Sequence, residues 1–212
     1  MPAVDPDFDH LVYATADLAA TVRRFAELTG ITPAEGGRHV GRGTRNFLAG
    51  LGGRRYLEII GPDPDQPTRT RAPRPFGIDD LSTTALVTWA VRATDLEERV
   101  SKARTAGYDP GSIGLLSRRT PAGDLLQWRL TTPASGDRQG IVPFLIDWGT
   151  TTHPADANLP AVDLTSLIAT HPDPAAAESR LAALGVTLPV RPGAEESLTA
   201  TLQTPHGWVT LT

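Results

Sequence analysis

Three stretches of the chain carry apolar residues at helical spacing between a capping residue and a stopping glycine. The first runs from Asp17 to Gly30, with Leu18, Val22, Phe25 and Leu28 on one face. The second runs from Thr94 and Asp95 to Gly107, with Leu96, Val100 and Ala103 on one face. Thr94 and Glu97 have the spacing of a capping box. The third opens at Asp173-Pro174 and ends at Gly185 after Leu181 and Leu184, with proline at the first helical position. The capping aspartates stand 78 residues apart in both intervals, and the glycines 77 and 78 apart. Three unrelated helices would not share one period, so the pattern predicts a structural repeat.

Each predicted helix follows a β-like run: Phe8–Ala14, Leu86–Ala93 and Leu164–Thr170. Each also precedes three further strand segments. These are Gly37–Val40, Thr44–Leu51 and Arg55–Ile60 in the first repeat, and Ile113–Arg119, Leu125–Thr131 and Pro143–Trp148 in the second. The third repeat offers Thr187–Val190, Leu198–Gln203 and Trp208–Leu211. The expected class is α+β, with βαβββ units at 1–61, 85–149 and 160–212 and a linker or arm at 62–84. An arm that long inside a compact domain is either a plain connection or a cover over a site.

Composition removes several chemistries. There is no cysteine, so thiolate nucleophiles and Cys-ligated zinc or iron–sulfur centres are excluded. Lys102 is the single lysine, on the solvent side of a predicted helix, which argues against a Schiff base. A net charge of −4 without a basic stripe argues against nucleic acid as a partner. No apolar run is long enough for a membrane helix, and the N-terminus lacks a signal-peptide pattern, so a cytoplasmic location is expected. The Arg-, Ala-, Gly- and Pro-rich usage resembles that of a high-GC bacterial genome.

Tandem βαβββ units, together with five sequence motifs, resemble the glyoxalase-like branch of the vicinal-oxygen-chelate superfamily (glyoxalase, bleomycin-resistance and extradiol-dioxygenase proteins). The motifs are Asp9-His-Leu-Val-Tyr13, Gly36–Asn46, Tyr56-Leu-Glu-Ile-Ile-Gly61, Leu86–Val91 and Pro143–Gly149, and with the helices between them they span about residues 5–185. The resemblance implies curved mixed sheets from the first two units around a pocket. It also implies metal ligands on the first and last strands of each unit. In the first unit those positions are His10 and Glu58. Alternation would put Phe8, His10 and Val12 on one face of their strand, and Tyr56, Glu58 and Ile60 on one face of theirs.

Imidazole and carboxylate suit a divalent Fe, Mn, Ni or Zn, with His39, or else His153 or an out-of-register residue, closing a triad; a site without metal is the alternative. In the second unit the 78-residue period puts Thr88 opposite His10, and aligned glycines put Ile146 opposite Glu58. Neither is a usual ligand, so a four-ligand site is incomplete. The plain alternative is that His10 and Glu58 pair with each other or with an arginine. His39 and Glu58 are the catalytic candidates, His39 as ligand or acid–base. Arg42, Asn46, Trp89, Trp128, Asp147 and His153 are the candidate pocket residues. Of the strand Leu125–Thr131, either Trp128 or the pair Gln127 and Arg129 would face the pocket.

Two functions stand open. One is a metal-dependent lyase, isomerase or dioxygenase acting on a vicinal-oxygen substrate. The other is a metal-free protein that binds or sequesters a small molecule. The third unit has no fourth to pair with; it either packs on the other two or offers a surface for a homodimer or another partner.

Overall fold

The computed structural model describes residues 4–66, 73–133 and 140–212. The first repeat is β1 (Phe8–Ala14), α1 (Leu18–Thr29), β2 (Ala34–His39), β3 (Thr44–Gly50) and β4 (Tyr56–Pro62). The second is β5 (Ala85–Arg92), α2 (Leu96–Thr105), β6 (Ser112–Arg119), β7 (Leu125–Thr132) and β8 (Phe144–Asp147). The third is β9 (Asp163–His171), α3 (Pro174–Ala183), β10 (Val190–Pro192), β11 (Ser197–Thr204) and β12 (Gly207–Leu211). Strand, helix and three strands thus recur three times.

The helix ends follow from local chemistry. Asp17 caps α1 by accepting from the Ala20 N–H at 3.0 Å, and Asp173 caps α3 by accepting from Ala176 at 3.0 Å. Gly30 ends α1 at φ 78°, a left-handed conformation that suits glycine. The capping box expected at Thr94 and Glu97 does not form. Asp95 is the cap residue and its side chain makes no capping bond. Glu97 is drawn instead to Arg129 across the surface.

The eight strands of the first two repeats close into a barrel in the order β1-β4-β3-β2-β6-β7-β8-β5. One closure between the repeats is long: β1 runs antiparallel to β5 from Phe8 to Ala14. The other is a short seam, where Arg38 pairs with Arg119 and His39 with Arg118. Gly37 makes that approach feasible. It sits at φ 135°, and a Cβ there would stand 1.9 Å from the Arg119 carbonyl oxygen.

The barrel wall is buried on both sides along β1, β4 and β5. Val12, Ala14, Leu48, Tyr56, Ile60, Ala90, Trp128, Phe144, Ile146 and Trp148 pack inside. Phe8, Leu11, Leu57, Ile59, Trp89 and Val91 pack outside, against α1, α2 and the third repeat. Burying a side chain such as Phe25 of α1 contributes roughly 1.5–3 kcal/mol. The third repeat forms a separate sheet, β10-β9-β11-β12. Leu167, Leu181, Leu198 and Leu202 join the outer core, so this unit packs on the pair.

Candidate functional site

The barrel interior holds a cavity of about 210 Å³. Polar groups reach it from one side of the barrel: His10 from β1, His39 from β2, Thr44 and Asn46 from β3, Glu58 from β4, Arg118 from β6. Trp128, Phe144 and Trp148 form the apolar wall opposite. The segment after the first break in the described chain, Pro73 to Phe76, also lines the cavity, with the Phe76 ring 6.4 Å from that of Phe144. Phe76 holds φ 60°, an uncommon conformation for a bulky residue that costs about 1–3 kcal/mol. The part of the arm at 67–72 lies outside the described residues.

Glu58 is buried and accepts one hydrogen bond, from Asn46 Nδ2 at 2.6 Å. That bond fixes the Asn46 amide, leaving Asn46 Oδ1 buried without a partner. His39 Nε2 stands 3.6 Å from Glu58 Oε1, and His39 Nδ1 is 3.1 Å from the Thr44 hydroxyl. Burial holds the His39 imidazole below its ordinary range, and the nearby Arg118 and Arg42 push the same way against the pull of Glu58. His39 is therefore neutral at pH 7. Burial, and after it the charges of Asp9 and Glu58, pushes the Tyr56 phenol well above its usual value, so Tyr56 stays protonated.

His10 is held from behind. Its Nδ1 donates to Asp9 Oδ1 at 2.6 Å, and its ring stacks on Tyr56 at 4.5 Å between centroids. Asp9 is a fully buried hub. It also accepts from His153 Nε2 at 3.0 Å and Trp148 Nε1 at 3.3 Å, with Arg92 Nη1 3.6 Å away. Burial opposes the Asp9 charge, yet the hydrogen bonds from His10 and His153 outweigh it and hold the carboxyl well below the usual carboxylate range. A bulge between Phe8 and His10 makes this arrangement possible. It overturns the alternation expected for β1: Phe8 faces outward onto Trp89 while His10 faces the cavity.

Of the sequence candidates, His10, His39, Arg42, Asn46, Glu58 and Trp128 line the cavity, and three do not. Trp89 lies in the outer core, its indole N–H donating to the Ile141 carbonyl at 2.7 Å. Both faces of β5 are apolar, so aromatic character alone did not mark the inner one. Asp147 points outward, bonded to Arg129 at 2.6 Å and to the Gly149 N–H. Strand alternation prevails there, since β8 carries no bulge to turn the side chain inward. His153 is fully enclosed behind the wall, between Asp9 and the Tyr56 and Trp148 rings, and does not reach the cavity. Trp128 faces in and Arg129 out, which resolves the choice along β7.

The donors suit a metal poorly. Among the described residues no three His, Asp or Glu side chains converge on one point. His10 has the carboxylate backing of a metal-ligating imidazole. Its would-be partners His39 and Glu58 face one another instead, with Glu58 tied to Asn46. Opposite them Thr88 does not line the cavity and Ile146, which does, is apolar. The expected set His10, Glu58 and His39 is thus not assembled as a chelate.

Sequence reasoning missed Arg118 and the role of Asp9, and it put Tyr56 on the Glu58 face without a role. Arg118 shares a strand face with Leu116, a signal blurred by the adjacent Arg119.

A glyoxalase-like domain family model matches residues 8–185. No curated protein matches the chain. Among solved structures, a hypothetical protein from Staphylococcus aureus shares the fold with a TM-score of 0.62 at 14% identity, over 96% of this chain and 84% of that one. Methylmalonyl-CoA epimerase from Mycobacterium tuberculosis aligns at 20% identity over 70% of this chain and 93% of its own, with a TM-score of 0.42. The family match covers both barrel repeats and part of the third: the chain belongs to the glyoxalase-like domain family, with the vicinal-oxygen-chelate fold.

Proposed function

We propose that this protein is a small-molecule enzyme of the isomerase or lyase kind that moves a proton within the barrel, using Glu58 as base. The observation that carries this reading is the state of Glu58. It is a buried carboxylate with one hydrogen bond, facing a cavity and beside a neutral imidazole. Asn46 holds one carboxylate oxygen by its amide N–H, which aims the group. His39, uncharged at neutral pH, can hold or return the proton without an ion pair to break first. Arg118, on the neighbouring strand, is placed to stabilise an oxyanion formed when carbon loses its proton.

The test is proton exchange. Small carbonyl acids incubated with the protein in D2O should lose a C–H resonance, and Glu58→Gln should abolish that loss while the fold is retained. Ligands that bind without any exchange would establish a second reading, a metal-free binding protein. The aromatic wall of Trp128, Trp148 and Phe144 favours that reading, since it supplies affinity without chemistry.

A further inference from the structure

We propose that the barrel interior takes a small aromatic carboxylate, its anion on the Arg118 guanidinium and its ring against Trp128, Trp148 and Phe144. This deepens the reading of the barrel as the working site, without depending on Glu58 as a base.

Arg118 is the one arginine buried among the described residues, at 4% exposure. It lines the cavity and makes no hydrogen bond or ion pair with them, whereas the part-exposed Arg45, Arg99 and Arg129 are all paired with carboxylates. A buried cation without a partner is costly, and guanidinium cannot shed its proton to escape the cost. A ligand anion would supply the missing partner through two parallel hydrogen bonds. The Glu58 charge attracts Arg118 without forming an ion pair with it, and Glu58 is engaged by Asn46.

Gly36 keeps this place open. A Cβ on Gly36 would stand 2.9 Å from Arg118 Nη1 and 2.3 Å from the unpartnered Asn46 Oδ1. Both polar groups thus border Gly36 without bonding one another. The remaining ionisable groups around the cavity bear on the ligand's charge. Arg42 and Arg74 add positive charge near the opening, though Arg74 pairs with Asp79; His39 is neutral and Glu58 is the one acidic group of the lining. A single carboxylate matches this balance better than a dianion, which would meet Glu58. The size agrees: about 210 Å³ lies below the ~300–1,000 Å³ usual for ligand pockets. Trp128 and Trp148, 5.2 Å apart between centroids, and Phe144 offer faces and edges to a flat ring.

The experiment titrates benzoate, its neutral isostere benzamide, and cyclohexanecarboxylate, reading Trp fluorescence and calorimetry. Wild type should bind benzoate saturably, and benzamide about tenfold or more weaker, as expected for loss of a buried charge-assisted bond. Cyclohexanecarboxylate should fall between them. Arg118→Met should lower benzoate to the benzamide level without altering benzamide; Arg118→Gln repeats the test should the first variant not fold. Glu58→Gln should bind benzoate as well as wild type or better, because a like charge is gone. Equal binding of benzoate and benzamide, unchanged benzoate affinity in both Arg118 variants, or no saturation by benzoate would overturn the inference. Benzoate discrimination without proton exchange on any substrate would overturn the acid–base reading and leave this one standing.

Discussion

Replacing Asp9 by asparagine should unsettle the molecule more than any other isosteric change. Three donors converge on this carboxylate: His10 Nδ1 at 2.6 Å, His153 Nε2 at 3.0 Å and Trp148 Nε1 at 3.3 Å. Arg92 adds a charge 3.6 Å away. An asparagine oxygen in the Oδ2 position could still serve His153 and Trp148. Its NH2 would then confront the His10 N–H, so His10 must move its proton to Nε2, on the cavity side. The two retained bonds lose their charge assistance, each bond to a charged group being worth about 1.5–3 kcal/mol. Arg92 loses its counter-ion as well. Removing one partner from a buried charged cluster costs about 3–5 kcal/mol. For a chain of this length that corresponds to a fall in Tm of roughly 6–20 °C. Calorimetry and urea unfolding measure it directly. A loss below about 1 kcal/mol, the range of ordinary surface substitutions, would show that Asp9 is not the charged hub described above.

Three further outcomes follow from the geometry. Gly36→Ala would place its methyl 2.3 Å from Asn46 Oδ1. We expect the Arg118 pocket to lose benzoate affinity at a stability cost of about 1–3 kcal/mol, read by titration and urea unfolding of the same variant. His39 is buried and held below its unfolded value of 6.5. The unfolded chain thus binds that proton first, so the stabilisation from His39 is fully present above about pH 6.5 and is lost as pH falls through the lower folded value. Unfolding midpoints at pH 5.5 and 7.5 should converge in His39→Gln; an unchanged pH slope in that variant would refute the assignment. Finally, overnight dialysis against EDTA should leave the unfolding midpoint unshifted, because no three donors of the described chain close on a cation. A midpoint that falls and is restored by Zn, Ni, Mn or Fe would reverse that conclusion.

What the sequence disclosed was whatever depends on near neighbours. Asp17 and Asp173 cap helices, and Gly30 and Gly185 stop them, through contacts within a turn, so the repeat was legible in spacing alone. Alternation correctly brought Glu58, Tyr56 and Ile60 to one face, because β4 carries no bulge. It failed at β1, where the bulge sends Phe8 outward and lets Asp9 grasp the His10 ring. It failed to place Trp89 because β5 is covered on both sides: the barrel interior takes one face and the third repeat, with α2, the other. Arg118 and Arg119 are indistinguishable as text. One pairs with His39 inside the barrel and its neighbour points to solvent, a difference decided by the partner strand.

The short seam between β2 and β6 gives the barrel an asymmetry of its own. On one side the repeats are sewn together along the length of β1; on the other they meet at Arg38 with Arg119 and His39 with Arg118. The second of these pairs is also where the cavity's imidazole and guanidinium stand. A molecule held by Arg118 on one repeat and packed against the cavity side of the other acts as a clasp across the weaker join. Occupancy and closure then become one equilibrium: what fills the barrel also zips it, and loosening the join loosens the grip. Amide protons at the seam, such as that of Val40 bonded to Ser117, would register the guest's arrival as slowed exchange before any chemistry begins.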